Sequence, residues 1–131
     1  MTQGWNVAVV GATGAVGREM LRILQERSFP IASLRAMASP RSAGETLPFG
    51  DTSVEVEALA DADFDDVDVA LFSAGSSVSE THAPRAAAQG ATVIDNTSAF
   101  RMNDDVPLVV PEVNGDVLDE LDTETGTIVA N

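Results

Sequence analysis

The stretch Val7-Ala8-Val9-Val10-Gly11-Ala12-Thr13-Gly14-Ala15-Val16-Gly17 constrains the fold more than any other part of this chain. Its four consecutive apolar residues suit a buried strand, and the glycines that follow suit a tight turn. The next segment, Arg18-Glu19-Met20-Leu21-Arg22-Ile23-Leu24-Gln25, continues a pattern with apolar residues at 16, 20, 23 and 24, which is the period of a helix. Strand, glycine turn and helix in that order bring backbone N–H groups and the positive end of a helix up to an anion such as a phosphate. The glycines stand at 11, 14 and 17, a G-x-x-G-x-x-G spacing rather than the commoner G-x-G-x-x-G. Taken alone, that spacing also fits a plain turn in which a glycine lets helix and strand pack closely. The order of the elements around it favours the phosphate reading.

Alternation of apolar runs with helical patterns continues to the end of the chain, the rhythm of a parallel sheet covered on both faces. Strands are expected near 6–10, 34–38, 54–57, 68–72, 92–95, 107–110 and 127–130, and helices near 15–27, 80–89 and 115–121. Gly90 closes the middle helix as a residue just past a helix end should, and Gly115-Asp116 opens the last with a plausible cap. Pro40 to Gly50 reads as a loop. The expected fold is a Rossmann-like, doubly wound α/β domain spanning 1–131, with a mostly parallel sheet and helices on both faces. A reversal after the third strand would set a ligand across the carboxyl ends of the first and fourth strands.

Composition excludes several kinds of function. The chain has 131 residues, enough for one domain with a real core, and 44% of them are hydrophobic. It has no cysteine, hence no disulfide, no thiolate metal site and no thiol nucleophile. Its 21 acidic residues stand against seven arginines and no lysine, a formal charge of -14, which argues against nucleic acid or an anionic membrane surface as a partner. Absence of lysine rules out a Walker A motif or a Schiff-base lysine, and absence of tyrosine rules out a Tyr/Lys catalytic pair. The run Asp61, Asp63, Asp65, Asp66, Asp68 lacks the glycine and glutamate of a calcium loop, which would fall where Asp66 and Phe72 stand, so no metal is expected. No signal core or membrane span is visible, so a soluble, cytoplasmic protein is expected. A lysine-free, acidic surface also suggests a salt-adapted or GC-rich source.

Three further segments carry candidate chemistry. About 20 residues past the glycines, where an acid would hold the ribose 2′-hydroxyl of NAD, the chain reads Ser39-Pro40-Arg41-Ser42-Ala43-Gly44. One guanidinium and two hydroxyls suit the 2′-phosphate of NADP, although an ordinary polar turn with a surface arginine has the same composition. Phe72-Ser73-Ala74-Gly75-Ser76-Ser77 supplies small residues that let backbone approach a flat ring or a phosphate, or else forms a simple loop. Asp95-Asn96-Thr97-Ser98-Ala99-Phe100-Arg101-Met102 offers Arg101 as an oxyanion clamp or a surface ion pair. Asn96-Thr97-Ser98 matches a glycosylation acceptor only by coincidence in a chain without secretion signals. His82, the one histidine, reads as a surface helix residue without a role.

Taken together, Gly11 to Leu21, Ser39 to Gly44, Leu71 to Gly75, Val93 to Met102 and Val109-Val110-Pro111-Glu112-Val113-Asn114 closely resemble the N-terminal domain of bacterial aspartate-semialdehyde dehydrogenase, in order and in spacing. The resemblance implies that Gly11 belongs to the cofactor site and that Thr13, Gly14, Ala15 and Val16 wrap the cofactor pyrophosphate. It implies that Ser39, Arg41 and Ser42 hold the 2′-phosphate of NADP and that Ser73, Ala74 and Gly75 line the path to the nicotinamide. Arg101 would bind phosphate or the acyl phosphate of the substrate. The family's nucleophilic cysteine lies in a segment of the type A-N-P-N-C-[ST], which would begin at Ala130-Asn131, so no catalytic residue is expected within this chain. The implied activity of the complete enzyme is NADP-dependent reduction of L-aspartyl 4-phosphate to the semialdehyde, in lysine, threonine and methionine biosynthesis, by a homodimer. A relative acting on N-acetyl-glutamyl phosphate shares the fold, but its glycine turn usually carries an aromatic where Ala15-Val16 follow Gly14. A non-catalytic NADP-sensing module is the alternative from another class.

Overall fold

The computed structural model describes residues 4–120 and 126–131. These form a seven-stranded sheet in the order β3-β4-β2-β1-β5-β6-β7. Its strands are β1 (Trp5–Val10), β2 (Ile31–Ala38), β3 (Thr46–Phe49), β4 (Thr52–Ala58), β5 (Val69–Phe72), β6 (Thr92–Asp95) and β7 (Thr127–Ala130). All neighbouring pairs are parallel except β3 with β4. The chain leaves β1 for β2 on one side and later returns to β5 on the other, so the order reverses at β1. That reversal opens a crevice beyond the carboxyl ends of β1 and β5, the pair named by the sequence as first and fourth.

Alternation along β1 divides the core in two. Val9 packs with Ala12, Leu21, Ala36, Leu47 and Val56 under α1 (Ala15–Glu26), joined by Met20 and Leu24. Ala8 and Val10 point the other way, into Met37, Phe64, Phe72, Val93 and the Ala83 and Ala86 face of α2 (Ser76–Ala88). Helices therefore cover opposite faces, as a doubly wound sheet requires. The buried stripe of α1 runs through Gly17 and Leu21, while Val16 and Ile23 are exposed. The apolar periodicity identified the helix correctly but placed its inner edge about one residue off.

Four expectations need correction. Part of the Pro40 to Gly50 loop is a 3-10 turn (Pro40–Ser42) and the edge strand β3, paired antiparallel to β4. The serines before residue 80 belong to α2, which starts at Ser76 behind Gly75, whose φ of 107° is the glycine-only turn into the helix. The strand expected at 107–110 is a single bridge from Leu108 to Ala130. The helix expected at 115–121 is instead a short α3 (Pro111–Asn114) followed by a 3-10 stretch (Gly115–Glu120), with residue 121 outside the described residues. Pro111 fixes the first helical φ, and Asn114 Oδ1 accepts from the Val110 amide at 2.8 Å, so the cap falls here and not at Gly115-Asp116.

Three of the acidic residues after β4 make structural contacts. Asp63 and Asp66 flank the Arg35 guanidinium, which also pairs in two places with Glu57, at 2.9 and 2.8 Å. Asp68 Oδ2 accepts from the Asn6 amide at 2.8 Å. Among the described residues no helix is long and apolar enough to cross a membrane.

Candidate functional site: a cleft at the switch point

A cleft of about 480 Å³ opens at the carboxyl ends of β1, β2, β4 and β5. Gly11, Thr13 and Gly14 form its floor, Ala38, Ser39 and Pro40 one wall, Ser73 and Ala74 another, and Leu59, Ala60, Val78 and His82 the remainder. The floor is shaped by glycine geometry at two positions. Gly11 has φ of 89°, and a Cβ there would lie 2.9 Å from the backbone of Ala74. A Cβ on Gly17 would overlap the Gly11 carbonyl oxygen, so only glycine lets α1 start this close to β1.

Both amides after the strand are occupied: Gly11 and Ala12 donate to the Met37 carbonyl at 2.8 and 3.2 Å. The first turn of α1 is different. Gly14 is its N-cap and supplies no side-chain cap, so the amides of Ala15 and Val16 have no acceptor among the described residues. Open amides at a helix N-terminus beside a cleft fit one chemical partner best, an anion with several oxygens. Arg18 braces the turn, its Nε donating to the Thr13 carbonyl at 3.0 Å. The fit to a dinucleotide thus rests on a cradle that a Cβ would fill and a helix start that the chain leaves uncapped.

Not every expected site residue reaches the cleft wall. Gly11, Thr13, Gly14, Ser39, Ser73 and Ala74 do, while Ala15 and Val16 offer only backbone, their side chains being exposed. Gly75 caps α2 at the edge. Arg41 and Ser42 stand on the 3-10 turn just past Pro40, at the rim, and Arg41 is exposed with no ion pair among the described residues. Arg101 lies further along the same edge of the sheet. Its Nε donates to the main-chain oxygen of Asn131 at 3.0 Å and its Nη2 to that of Asn96 at 3.2 Å, tying the end of β7 to the loop after β6.

That loop is organised by Asp95, which is fully buried with Ser79. Asp95 Oδ1 accepts from Ser79 Oγ at 2.8 Å and from the Thr97 amide at 3.0 Å, and Oδ2 accepts from Thr97 Oγ1 at 3.0 Å. Nothing in the sequence marked Asp95 as more than part of a motif. His82, which the sequence left without a role, lines the cleft with Val78 one turn earlier on α2. Burial, and then the charge of Arg85, push its pKa below the usual 6.5. The signal that could have found it is the i, i+4 spacing of Val78 and His82, which a helix starting at 80 does not contain.

A mostly parallel sheet with a crevice at its switch point, a glycine floor and an uncapped helix start defines a dinucleotide-binding α/β domain. The chain belongs to the semialdehyde dehydrogenase NAD-binding domain family, whose model matches residues 6–121. It is 57% identical over 111 residues to an aspartate-semialdehyde dehydrogenase of Legionella pneumophila, covering 85% of this chain and 32% of that protein. The corresponding protein of Rickettsia conorii is 48% identical over the whole chain, which covers 38% of it. The crystal structure of aspartate semialdehyde dehydrogenase II from Vibrio cholerae, complexed with ASA, superposes with a TM-score of 0.92 at 50% identity, over 98% of this chain and 42% of that one. The chain thus spans about a third of the length of the curated relatives it matches.

Proposed function

We propose that this chain is the cofactor-binding part of an aspartate-semialdehyde dehydrogenase that uses NADP to reduce L-aspartyl 4-phosphate to the semialdehyde. The observation that carries the reading is the end of β2, where Ser39 and the exposed Arg41 occupy the position at which an NAD site keeps an acid. In this reading the open amides of Ala15 and Val16, with Thr13 and Gly14, bind the pyrophosphate. Ser39, Arg41 and Ser42 hold the 2′-phosphate, and Ser73, Ala74 and Gly75 leave room for the nicotinamide half. When bound, the nicotinamide supplies the two-electron reduction. Arg101, anchored through Nε and Nη2, has Nη1 left for a phosphate oxygen near the end of β7. The nucleophile comes from outside these residues, which hold no cysteine.

Titration with NADPH and NADH, followed by cofactor fluorescence, tests the reading. Selective, saturable binding of NADPH is the expected result, and a folded protein that binds neither overturns it. Replacement Arg41→Ala is expected to cost about 1.5–3 kcal/mol of NADPH affinity, the worth of a charge-assisted contact, and little of NADH affinity. Equal losses would remove Arg41 from the 2′-phosphate.

A further inference from the structure

The wall of the cleft contributed by α2 and the turn after β4 is apolar, built of Leu59, Ala60 and Val78, except for His82. One turn beyond His82 on the same helix, Arg85 is pinned against the turn after β4. Its Nη1 donates to the Ala62 carbonyl at 2.5 Å and its Nη2 to the Leu59 carbonyl at 3.0 Å, while its guanidinium lies 5.1 Å from the centre of the Phe64 ring. The same Nη2 stands 3.0 Å from His82 Nδ1. Arginine carries only donors, so Nδ1 must accept, and the proton of the neutral ring sits on Nε2. His82 has no other hydrogen-bond partner among the described residues, which leaves Nε2–H as the donor available to whatever fills the cleft.

We propose that His82, held in its Nε2–H tautomer by Arg85 as a positioning residue, reads the adenine base of the dinucleotide by donating to a ring nitrogen. This rests on the cofactor reading above. The place fits a base rather than a phosphate. Apolar side chains flank the single donor, and Arg85 ties α2 across to the turn after β4, which lies on the β2 side of β1, where the adenosine half of a dinucleotide would rest. The unprotonated ring nitrogens of adenine are acceptors only, which suits a lone N–H. Burial and the Arg85 charge both disfavour the imidazolium, so the ring stays neutral near pH 7.

Because the chain has one histidine, nitrogen NMR of the full chain labelled with ¹⁵N-histidine reads this ring without overlap. The expected spectrum is that of a predominantly Nε2-protonated ring. NADPH should shift the Nε2–H signal and slow its exchange with water, whereas reduced nicotinamide mononucleotide, which lacks the adenosine half, should not. Arg85→Met should release the ring into a mixture of tautomers. His82→Phe should weaken NADPH binding roughly threefold to tenfold, the worth of one hydrogen bond, without altering mononucleotide binding. His82→Gln, whose amide N–H reaches about as far as Nε2, should recover most of that loss. NADPH binding that leaves the Nε2–H signal unmoved, or full NADPH affinity in His82→Phe, overturns this inference alone. Failure of the parent chain to bind NADPH removes the cofactor reading and the inference together.

Discussion

Two glycines of one motif do different work at the scale of single residues. A Cβ at Gly17 would overlap backbone that cannot retreat, whereas at Gly14 the nearest atom, the Gly11 carbonyl oxygen, is at an ordinary 3.5 Å. Gly17→Ala is therefore expected to cost at least about 3 kcal/mol of stability, as strained core positions do. Gly14→Ala should unfold within about 1 kcal/mol of the parent but bind cofactor more weakly, its methyl standing at the floor of the cleft. Urea denaturation of both, alongside NADPH titration, separates the two roles. His82 gives a pH signature. Its folded pKa lies below 6.5, so as pH falls the unfolded chain takes up the proton first. The stability linked to the neutral ring is complete above about pH 6.5 and is lost as pH falls from there toward the depressed folded value. His82→Gln should flatten the dependence of the unfolding midpoint on pH in that window. A slope unchanged in the variant would assign it to the carboxylates.

Among the elements, α2 matters most because it serves the core and the cleft at once. Ala83 and Ala86 bury against the sheet, His82 faces the cleft, and Ser79 reaches Asp95 at the end of β6. Removal of that carboxylate strands a buried hydroxyl and the Thr97 amide. Asp95→Ala should lower stability by about 2–4 kcal/mol, and Asp95→Asn by less, because its amide oxygen still accepts. Calorimetry would rank the two, and equal losses would mean that the carboxylate oxygens are not the anchoring atoms. Strands were legible from their apolar runs, and β6 and β7 lie within the ranges expected of them. The edge strand β3, with the sequence Thr46-Leu47-Pro48-Phe49, was not. Its proline suits only an edge, and its pairing with β4 depends on the turn at Gly50 and on Leu47 reaching the core under α1. The Gly50-Asp51 pair is itself a local hairpin signal, whereas the place of Leu47 in the core is not carried by local sequence.

For the whole molecule, the dominant quantity is charge. A formal -14 over a small domain repels itself, and among the described residues only a few acids are in ion pairs: Glu19 and Glu26 with Arg22, and Glu57, Asp63 and Asp66 with Arg35. Raising sodium chloride from about 0.01 to 0.5 M, which shortens the screening length from about 30 Å to a few ångström, should raise the melting temperature. An insensitive Tm would show that the acids are already dispersed beyond mutual reach and would count against salt adaptation. The sequence by itself determined the periodicities, the glycine turn, the alternation of the central strands with α1 and α2 and the missing acid after β2, because each is a relation between near neighbours along the chain. Tertiary structure decided which residues share the cleft. Leu59 and His82 enter it from segments more than 20 residues from each other and from the glycines, and Arg101 is tied to Asn131 across 30 positions. Such meetings depend on sheet order and helix rotation, which no local pattern encodes.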